Sequence, residues 1–316
     1  MKLVLTNNAE EVKSLVADGY CPIECSIGGE SIIDTLQMDH HGENSHLEAV
    51  SIRAYRDHFG ARSEDPRFVV VGIADADACF TVAALAGILP HPSRSVKEGA
   101  PPVIAKAITR DLTELATTIA RVDCNPIGLN IPELPGGEML LTWNAMCNNS
   151  RDTLGLHLGV GLWRSLCDAN PAQIGPFLNA AKEAESNRVQ ASMADLDERG
   201  VVFNESILVI KGSCTFGFPE WYGRDESNSF DSLHGWRHPI VLAWLERGKN
   251  VTIGCPNQAV AEQLFGIGGL KNVLSRLKPD GWGGREAVGG SPRGIELTWE
   301  QVEAAVETIN DVLIGE

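Results

Sequence analysis

Basic residues are scarce in this 316-residue chain: 26 Lys and Arg stand against 42 Asp and Glu, for a net charge of −16. A surface so acidic repels phosphate backbones, which excludes long nucleic acid as a tight partner unless a local basic groove exists. Small phosphorylated molecules stay open, because a bound metal can supply the positive charge. Paired metal-ligand spacing is also lacking. The eight cysteines (Cys21, Cys25, Cys79, Cys124, Cys147, Cys167, Cys214 and Cys255) include no Cys-x-x-Cys, which argues against a zinc ribbon. Cys21 and Cys25 read as buried thiols, with a metal or redox role left open. No apolar run is long enough for a transmembrane span, and the N-terminus turns polar at Thr6-Asn7-Asn8, too soon for a secretory leader. The expected location is cytoplasmic, with no membrane partner. Internal repeats and low-complexity runs are absent as well.

What is present is an ordinary globular composition, 43% hydrophobic and 22% charged, long enough for two domains. The fold class expected is α/β: an N-terminal domain on a parallel sheet and a second, smaller C-terminal α/β domain. Leu3-Val4-Leu5 reads as a strand, residues 9–16 as a helix, and residues 21–27 as a second apolar piece. Residues 31–41 read as a strand ending near Asp39. A helix over 45–59 follows, with Ser45 and Glu48 spaced as a capping box. Phe68 to Ile73 is a continuous apolar run of the kind found in a central parallel strand. Helices are expected over 81–89, from Pro101-Pro102 to about 120, and over 154–167, with a strand over 138–143. The charged helical stretch 172–199 connects the domains, giving boundaries of 1–170, 171–199 and 200–316. Beyond it come strands at 201–203, 207–210 and 251–253 and helices at 239–247 and 259–277. A last helix opens at Thr298, with Gln301 completing a second capping box.

The chemistry concentrates in Asp39-His40-His41-Gly42-Glu43-Asn44-Ser45-His46. A turn can aim adjacent side chains at one point, and mixed Asp and His donors suit manganese, zinc or iron. A neighbouring acid can fix an imidazole's tautomer. Asp75-Ala76-Asp77 follows the second strong strand, and its small neighbours leave both carboxylates free to reach a cation. Like charges so close strain each other unless a metal or proton neutralises them. Together the two acidic strand ends describe a metal centre better than either alone. The metal ligands expected are Asp39, His40, Asp75 and Asp77. Glu24, Glu30, Asp34 and Asp123 are further acids whose part in the site spacing does not decide.

A third feature is Gly-rich. In Gly281-Trp282-Gly283-Gly284-Arg285-Glu286-Ala287-Val288-Gly289-Gly290-Ser291-Pro292-Arg293-Gly294, glycines let backbone N–H groups approach an anion and arginines can grip phosphate in a bidentate way. No Gly-Lys-Ser/Thr follows, so it is not a Walker loop. Gly283, Gly284, Arg285, Gly289, Gly290, Ser291 and Arg293 are the expected substrate-binding residues. Trp221-Tyr222 and Trp236-Arg237-His238 read as core packing ahead of base stacking.

Asp39-His40-His41 after an apolar stretch, with Gly283-Gly284-Arg285-Glu286-Ala287-Val288-Gly289-Gly290 before the final helix, resembles the DHH phosphoesterase superfamily. That group includes family II pyrophosphatases, single-strand exonucleases, oligoribonucleases and cyclic-dinucleotide phosphodiesterases. Arg285 stands where that family often has histidine. The segment from Gly72 to Phe80 is similar to the family's Gly-Ile-x-x-Asp-Thr-x-x-Phe stretch and to its Asp-x-Asp motif. The resemblance implies a manganese-dependent hydrolase (magnesium or another divalent metal being open) acting on a phosphoester or phosphoanhydride. Its substrate would be a nucleotide, a short oligonucleotide or a small phosphorylated molecule. It also implies that His40 ligates metal, that Asp39 ligates or orients, and that His41, Arg285 and Arg293 act on the phosphoryl group. A homodimer is an open option. One departure stands out: the family's first strand ends in acids, whereas here Leu3-Val4-Leu5 runs into Thr6-Asn7-Asn8. Either Asp75 and Asp77 serve in a rearranged order or the centre has fewer ligands. A non-catalytic nucleotide- or anion-binding protein on a degenerate DHH fold is the alternative.

Overall fold

The computed structural model describes residues 1–27, 30–41, 44, 46–125, 127, 129–147, 150–169, 171–212, 219–245, 250–292 and 295–313. The chain is α/β and divides into two compact units, Met1–Cys124 with Asn130–Ala184 and Asn125–Leu129 with Glu185–Glu316. The division falls inside one long helix, so 171–199 is shared between the units rather than forming a separate connector.

The first unit runs β1 (Lys2–Leu5), α1 (Ala9–Ala17), β2 (Cys21–Ile23), β3 (Ser26–Ile27), β4 (Glu30–Ser31), α2 (Val50–Arg56), β5 (Arg67–Val70), α3 (Ala76–Leu85), α4 (Pro102–Ile108), α5 (Thr113–Cys124), α6 (Gly137–Cys147), α7 (Thr153–Asp168) and the start of α8 (Pro171–Arg199). Its sheet has the order β1-β5-β2 and is parallel throughout. The alternation of a strand explains why β5 is apolar from Phe68 to Val70. Phe68 and Val70 enter the main core with Leu3, Leu5, Cys21 and Ile23, whereas Val69 faces Val12 and Cys25 on the other side. Pro22 is accommodated in β2 because that strand is at the sheet edge, where a missing N–H is tolerated. The main core is closed by two stacked indoles, Trp143 and Trp163, with ring centroids 5.4 Å apart. Their N–H groups donate to Gly159 O and Ala76 O. Gly159 is obligatory there, since an added Cβ would lie 2.7 Å from Cys79 Sγ and 2.9 Å from the Trp143 ring.

Several expected elements differ. The stretch 32–41 is not a sheet strand: beyond β4 it is irregular, turned by the Asp34 carboxylate accepting from Leu36 N and by Gln37 at φ 53°. The following helix is confined to Val50–Arg56, with no side-chain cap at Ala49. Ser45 lies outside the described residues. Residues 138–143 are helical, within α6, as their Glu, Met and Leu favour, and Thr142 Oγ donates back to Glu138 O. The long helices expected before and after the domain junction are each two. Asp111 bonds Thr113 between α4 and α5, and Gly266, Gly268 and Gly269, all at positive φ, separate the second pair.

The second unit adds β6 (Gly200–Phe203), β7 (Ile207–Gly212), β8 (Ile240–Leu245), β9 (Asn250–Gly254), α9 (Gln258–Phe265), α10 (Lys271–Leu277), β10 (Gly283–Gly284), β11 (Val288–Gly290) and α11 (Trp299–Asn310). Its six-stranded sheet has the order β10-β11-β9-β8-β7-β6, with only β7 and β8 parallel. Of the helix expected over 239–247, residues 240–245 are therefore strand β8, and residues 246 and 247 lie outside the described residues. A six-residue apolar run fits a buried strand or a buried helix equally by pattern, and its position between two partner strands decides. Trp221, Tyr222 and Trp236 are core residues here. The capping box opening α11 is present: Thr298 Oγ accepts from Gln301 N, and Gln301 Oε1 accepts from Thr298 N. Among the described residues no helix is long and apolar enough to cross a membrane.

Candidate metal centre

Four pieces of the first unit converge. The carboxyl end of β2 supplies Glu24, the irregular stretch after β4 supplies Asp39, His40 and His41, the start of α3 supplies Asp75 and Asp77, and the end of α5 supplies Asp123 and Cys124. The loop is held to the sheet by Glu24 N–H donating to Met38 O at 2.8 Å, with the Met38 side chain fully buried in the core. Arg53 of α2 clamps it from the other side, donating to the carbonyls of Gln37, Asp39 and Glu48. Glu24 itself takes a left-handed backbone conformation, φ 54°, that turns its side chain off the end of the strand. Asp75 caps α3, its Oδ1 accepting from Ala78 N, and this places Asp77 in the first turn.

The resulting geometry is compact. His40 Nε2 lies 3.0 Å from Glu24 Oε1 and 3.2 Å from Asp123 Oδ2. Donor atoms of Glu24, His40, Asp77 and Asp123 all lie within 4.8 Å of one another. Asp77 Oδ1 accepts from Ser51 N at 3.1 Å, while Oδ2 is buried with no hydrogen-bond partner. A buried carboxylate oxygen left unpaired costs free energy unless a cation or proton occupies its lone pairs. The residues therefore fit a divalent metal: three carboxylates and one imidazole, a mixture suited to manganese, magnesium, iron or zinc.

Electrostatics agree. Burial raises the Asp77 carboxyl well above the usual carboxylate range; Asp123 and Glu24 add to the rise, while the charge of His40 and a side-chain hydrogen bond from Ser51 oppose it. Asp75 is raised by burial first, then by Glu24 and Asp123. Burial acts against a charged His40, yet its hydrogen bonds to Asp123, Cys124 and Glu24 outweigh it and hold the imidazolium up to about 12. So without a metal the protons concentrate where a cation would otherwise sit.

Of the four expected ligands, His40 and Asp77 meet. Asp39 does not point into the group: its carboxylate accepts from Ser31 Oγ, from His41 N and from His41 Nδ1, the last at 2.9 Å. Burial works to raise its pKa, but His41 and Ser31 prevail and lower it. Asp75 serves as the α3 cap and couples to the group through charge. Glu24 and Asp123 complete it. Glu24 could have been found as the acid directly after the apolar strand Cys21–Ile23; Asp123 carries no comparable local signal. Asp34 is elsewhere, paired with Arg62 at 2.8 Å. At the end of β1, where acids are absent, Asn7 Oδ1 accepts from Gly72 N and Asn8 caps α1.

The Gly-rich residues lie in the second unit. Gly283 pairs with Gly290 and Gly284 with Gly289 in the β10–β11 hairpin. A Cβ on Gly284 would come 2.3 Å from Val288 O, and one on Gly289 2.6 Å from Leu274, so both are needed for packing. Gly283 has open space around it. Ser291 Oγ accepts from Val251 N at 2.8 Å, which ties the hairpin to β9. Arg285 N–H donates to Val288 O within the turn, and Arg293 lies outside the described residues.

No known family profile and no curated protein matches this chain. Among solved structures it is similar to the DHH domain of a protein described as a member of a family of ribosomal proteins, at 16% identity and a TM-score of 0.35. That alignment covers 97% of this chain and 66% of the other, so this chain spans just under two-thirds of that protein's length. The α/β assignment rests on the strand order and helix packing described above.

Proposed function

We propose that this protein is a divalent-metal-dependent phosphoesterase related to the DHH superfamily, with manganese the first metal to test. It would act on a nucleotide, a short oligonucleotide or another small phosphorylated molecule, in the cytoplasm. The observation that carries this reading is the group of buried Glu24, His40 and Asp77 with Asp123 at its exposed rim, together with the unpartnered Asp77 oxygen. A cation held by these four supplies positive charge for phosphoryl oxygens and acidifies a water. The remaining work falls to His41, whose side chain is 45% exposed beside this group. Asp39 accepts the Nδ1–H of His41, which fixes the tautomer and leaves Nε2 as the atom that meets substrate. From Nε2, His41 would exchange a proton with a phosphoryl or leaving oxygen. Asp39 is thus a positioning residue in this scheme, and Arg53, committed to backbone carbonyls, holds the loop in place. Arg285 and Arg293 are carried as proposed phosphate-binding residues of the second unit.

The test is metal content and turnover together. Protein reconstituted with manganese is assayed on a panel of phosphomonoesters, dinucleotides, short oligonucleotides and pyrophosphate. The expected result is turnover on at least one class, lost on chelation and in Asp77→Ala. Stoichiometric metal with no turnover on any class would instead favour a non-catalytic binding protein. The uncharged end of β1, where Thr6, Asn7 and Asn8 serve in local hydrogen bonds, is the feature that favours this second reading. Failure to bind metal at all would sink both.

A further inference from the structure

α4 is a helix with no buried residue: Val103 is 74% exposed and Ile104 48%. These two side chains border a cavity of about 410 Å³. Its other walls include Pro90 and Arg94, from the loop after α3, and Arg164 and Asp168, from the end of α7. The volume is in the range of small-molecule sites, about 300–1,000 Å³. The main chain holds the charged side of the cavity in place. Successive carbonyls of Ile88, Leu89 and Pro90 accept from Arg164 Nη1 at 2.5 Å, from Arg94 Nη1 at 3.0 Å and from the Tyr55 hydroxyl at 2.9 Å. Arg164 also pairs with Asp168. Arg94 is half-buried and has no carboxylate partner among the described residues. The cavity therefore holds one guanidinium more than it holds carboxylates, in a chain whose net charge is −16. A partly desolvated cation without a counterion favours an anion beside it.

We propose that this cavity binds a small amphipathic monoanion, a carboxylate on an apolar chain, with the carboxylate on Arg94 and the chain against Pro90, Val103 and Ile104. Nη1 of Arg94 is committed to Leu89 O, which leaves Nε and Nη2 on the other edge for two parallel bonds to a carboxylate. One excess positive charge matches one carboxylate. A phosphate monoester would bring about two negative charges up to Asp168. The chain adds affinity by covering apolar side chains that otherwise face water. None of the metal group lines this cavity, so the site is independent of that centre.

The experiment is calorimetric titration of the full chain with sodium decanoate below its micelle concentration. The expected result is saturable binding of one decanoate per chain. Acetate, which has the charge without the chain, binds about a hundredfold more weakly or worse. Decanol, which has the chain without the charge, binds about tenfold more weakly or worse. Arg94→Gln weakens decanoate binding about tenfold or more. Val103→Asp sets a negative charge at the mouth of the cavity on an exposed helix position, so it leaves the fold intact and weakens binding about fivefold or more. Lys13→Gln, which removes an exposed cation of α1, leaves binding within about twofold. Should Arg94→Gln lower the melting temperature, Val103→Asp still decides. Decanol binding as tightly as decanoate, or decanoate binding unchanged in Val103→Asp, overturns the site. Decyl phosphate binding more tightly than decanoate overturns the assignment of a carboxylate.

Discussion

Replacing Asp77 by Asn separates the acid's role as a ligand from its role in the fold. The amide keeps an oxygen for the Ser51 N–H bond of 3.1 Å and puts an N–H₂ where the unpartnered oxygen stood, beside Glu24 and Asp123. A buried acceptor without a partner becomes a donor facing acceptors, and one of several crowded negative charges disappears. Relief of an unsatisfied buried group stabilises by about 1–3 kcal/mol, so the metal-free variant is expected to be more stable than the wild type at neutral pH. With metal the order reverses. A ligand at a hundred times its Kd stabilises the native state by about 2.7 kcal/mol, which for a unit of this size is a Tm rise of about 5–11 °C. The wild type is expected to show that rise with manganese or zinc, and the variant to lose most of it. The pH dependence has a definite sign. Because Asp77 is raised in the folded state, the native protein binds more protons than the unfolded chain, and metal-free stability falls as pH rises above about 4. The Asn variant falls less steeply. Thermal unfolding in chelator and in metal, between pH 5 and 8, measures all of this. A variant less stable than the wild type in chelator, with its metal-induced shift intact, would refute the assignment of Asp77 as a ligand.

Asp39→Asn is expected to keep full metal content and lose about 10²-fold in turnover, because it misorients His41 without removing a ligand; loss of metal in this variant would return Asp39 to the ligand set. His40→Gln flattens the alkaline limb of metal-free stability. The wild-type imidazolium, held up to about 12, contributes fully below about 6.5 and is lost as pH rises through its folded value, so denaturant midpoints between pH 7 and 10 should converge. In the hairpin, Gly284→Ala is expected to destabilise the second unit by about 1–3 kcal/mol, since its Cβ would sit 2.3 Å from Val288 O. Gly283→Ala, with open space around it, should change stability by less than about 0.5 kcal/mol, and thermal melts of the pair distinguish a packing role from a purely anion-binding one.

How much of this was legible in the amino-acid sequence depends on how local each signal is. The β5 run, the α7 and α8 helices and the Thr298 capping box lie in contiguous residues whose pattern fixes their state. The α/β class followed from them. The 138–143 and 240–245 segments are short apolar runs whose periodicity does not choose between helix and strand, and tertiary partners decided both. In the candidate cluster, His40 and Asp77 stood out as expected ligands because strings of acids and histidines mark themselves. Asp123 was named only among acids left undecided, because a single acid at a helix end is ordinary until the loop carrying His40 is folded against it. Asp39 shows the reverse: adjacency to His40 suggested a shared metal, whereas successive residues of the turn diverge and its carboxylate faces His41 and Ser31.

Glu24 carries a consequence for any attempt to improve this protein. Its backbone sits at φ 54°, where glycine or asparagine rests comfortably and a glutamate bears about 1–3 kcal/mol of strain. A library scored only for folding should therefore drift to glycine at this position, raising thermal tolerance while deleting a donor from the cation group. Retention of an acid there across variants selected in living cells would mark the pressure as chemical, and its disappearance in variants selected for robustness would be the first sign that the activity had been discarded.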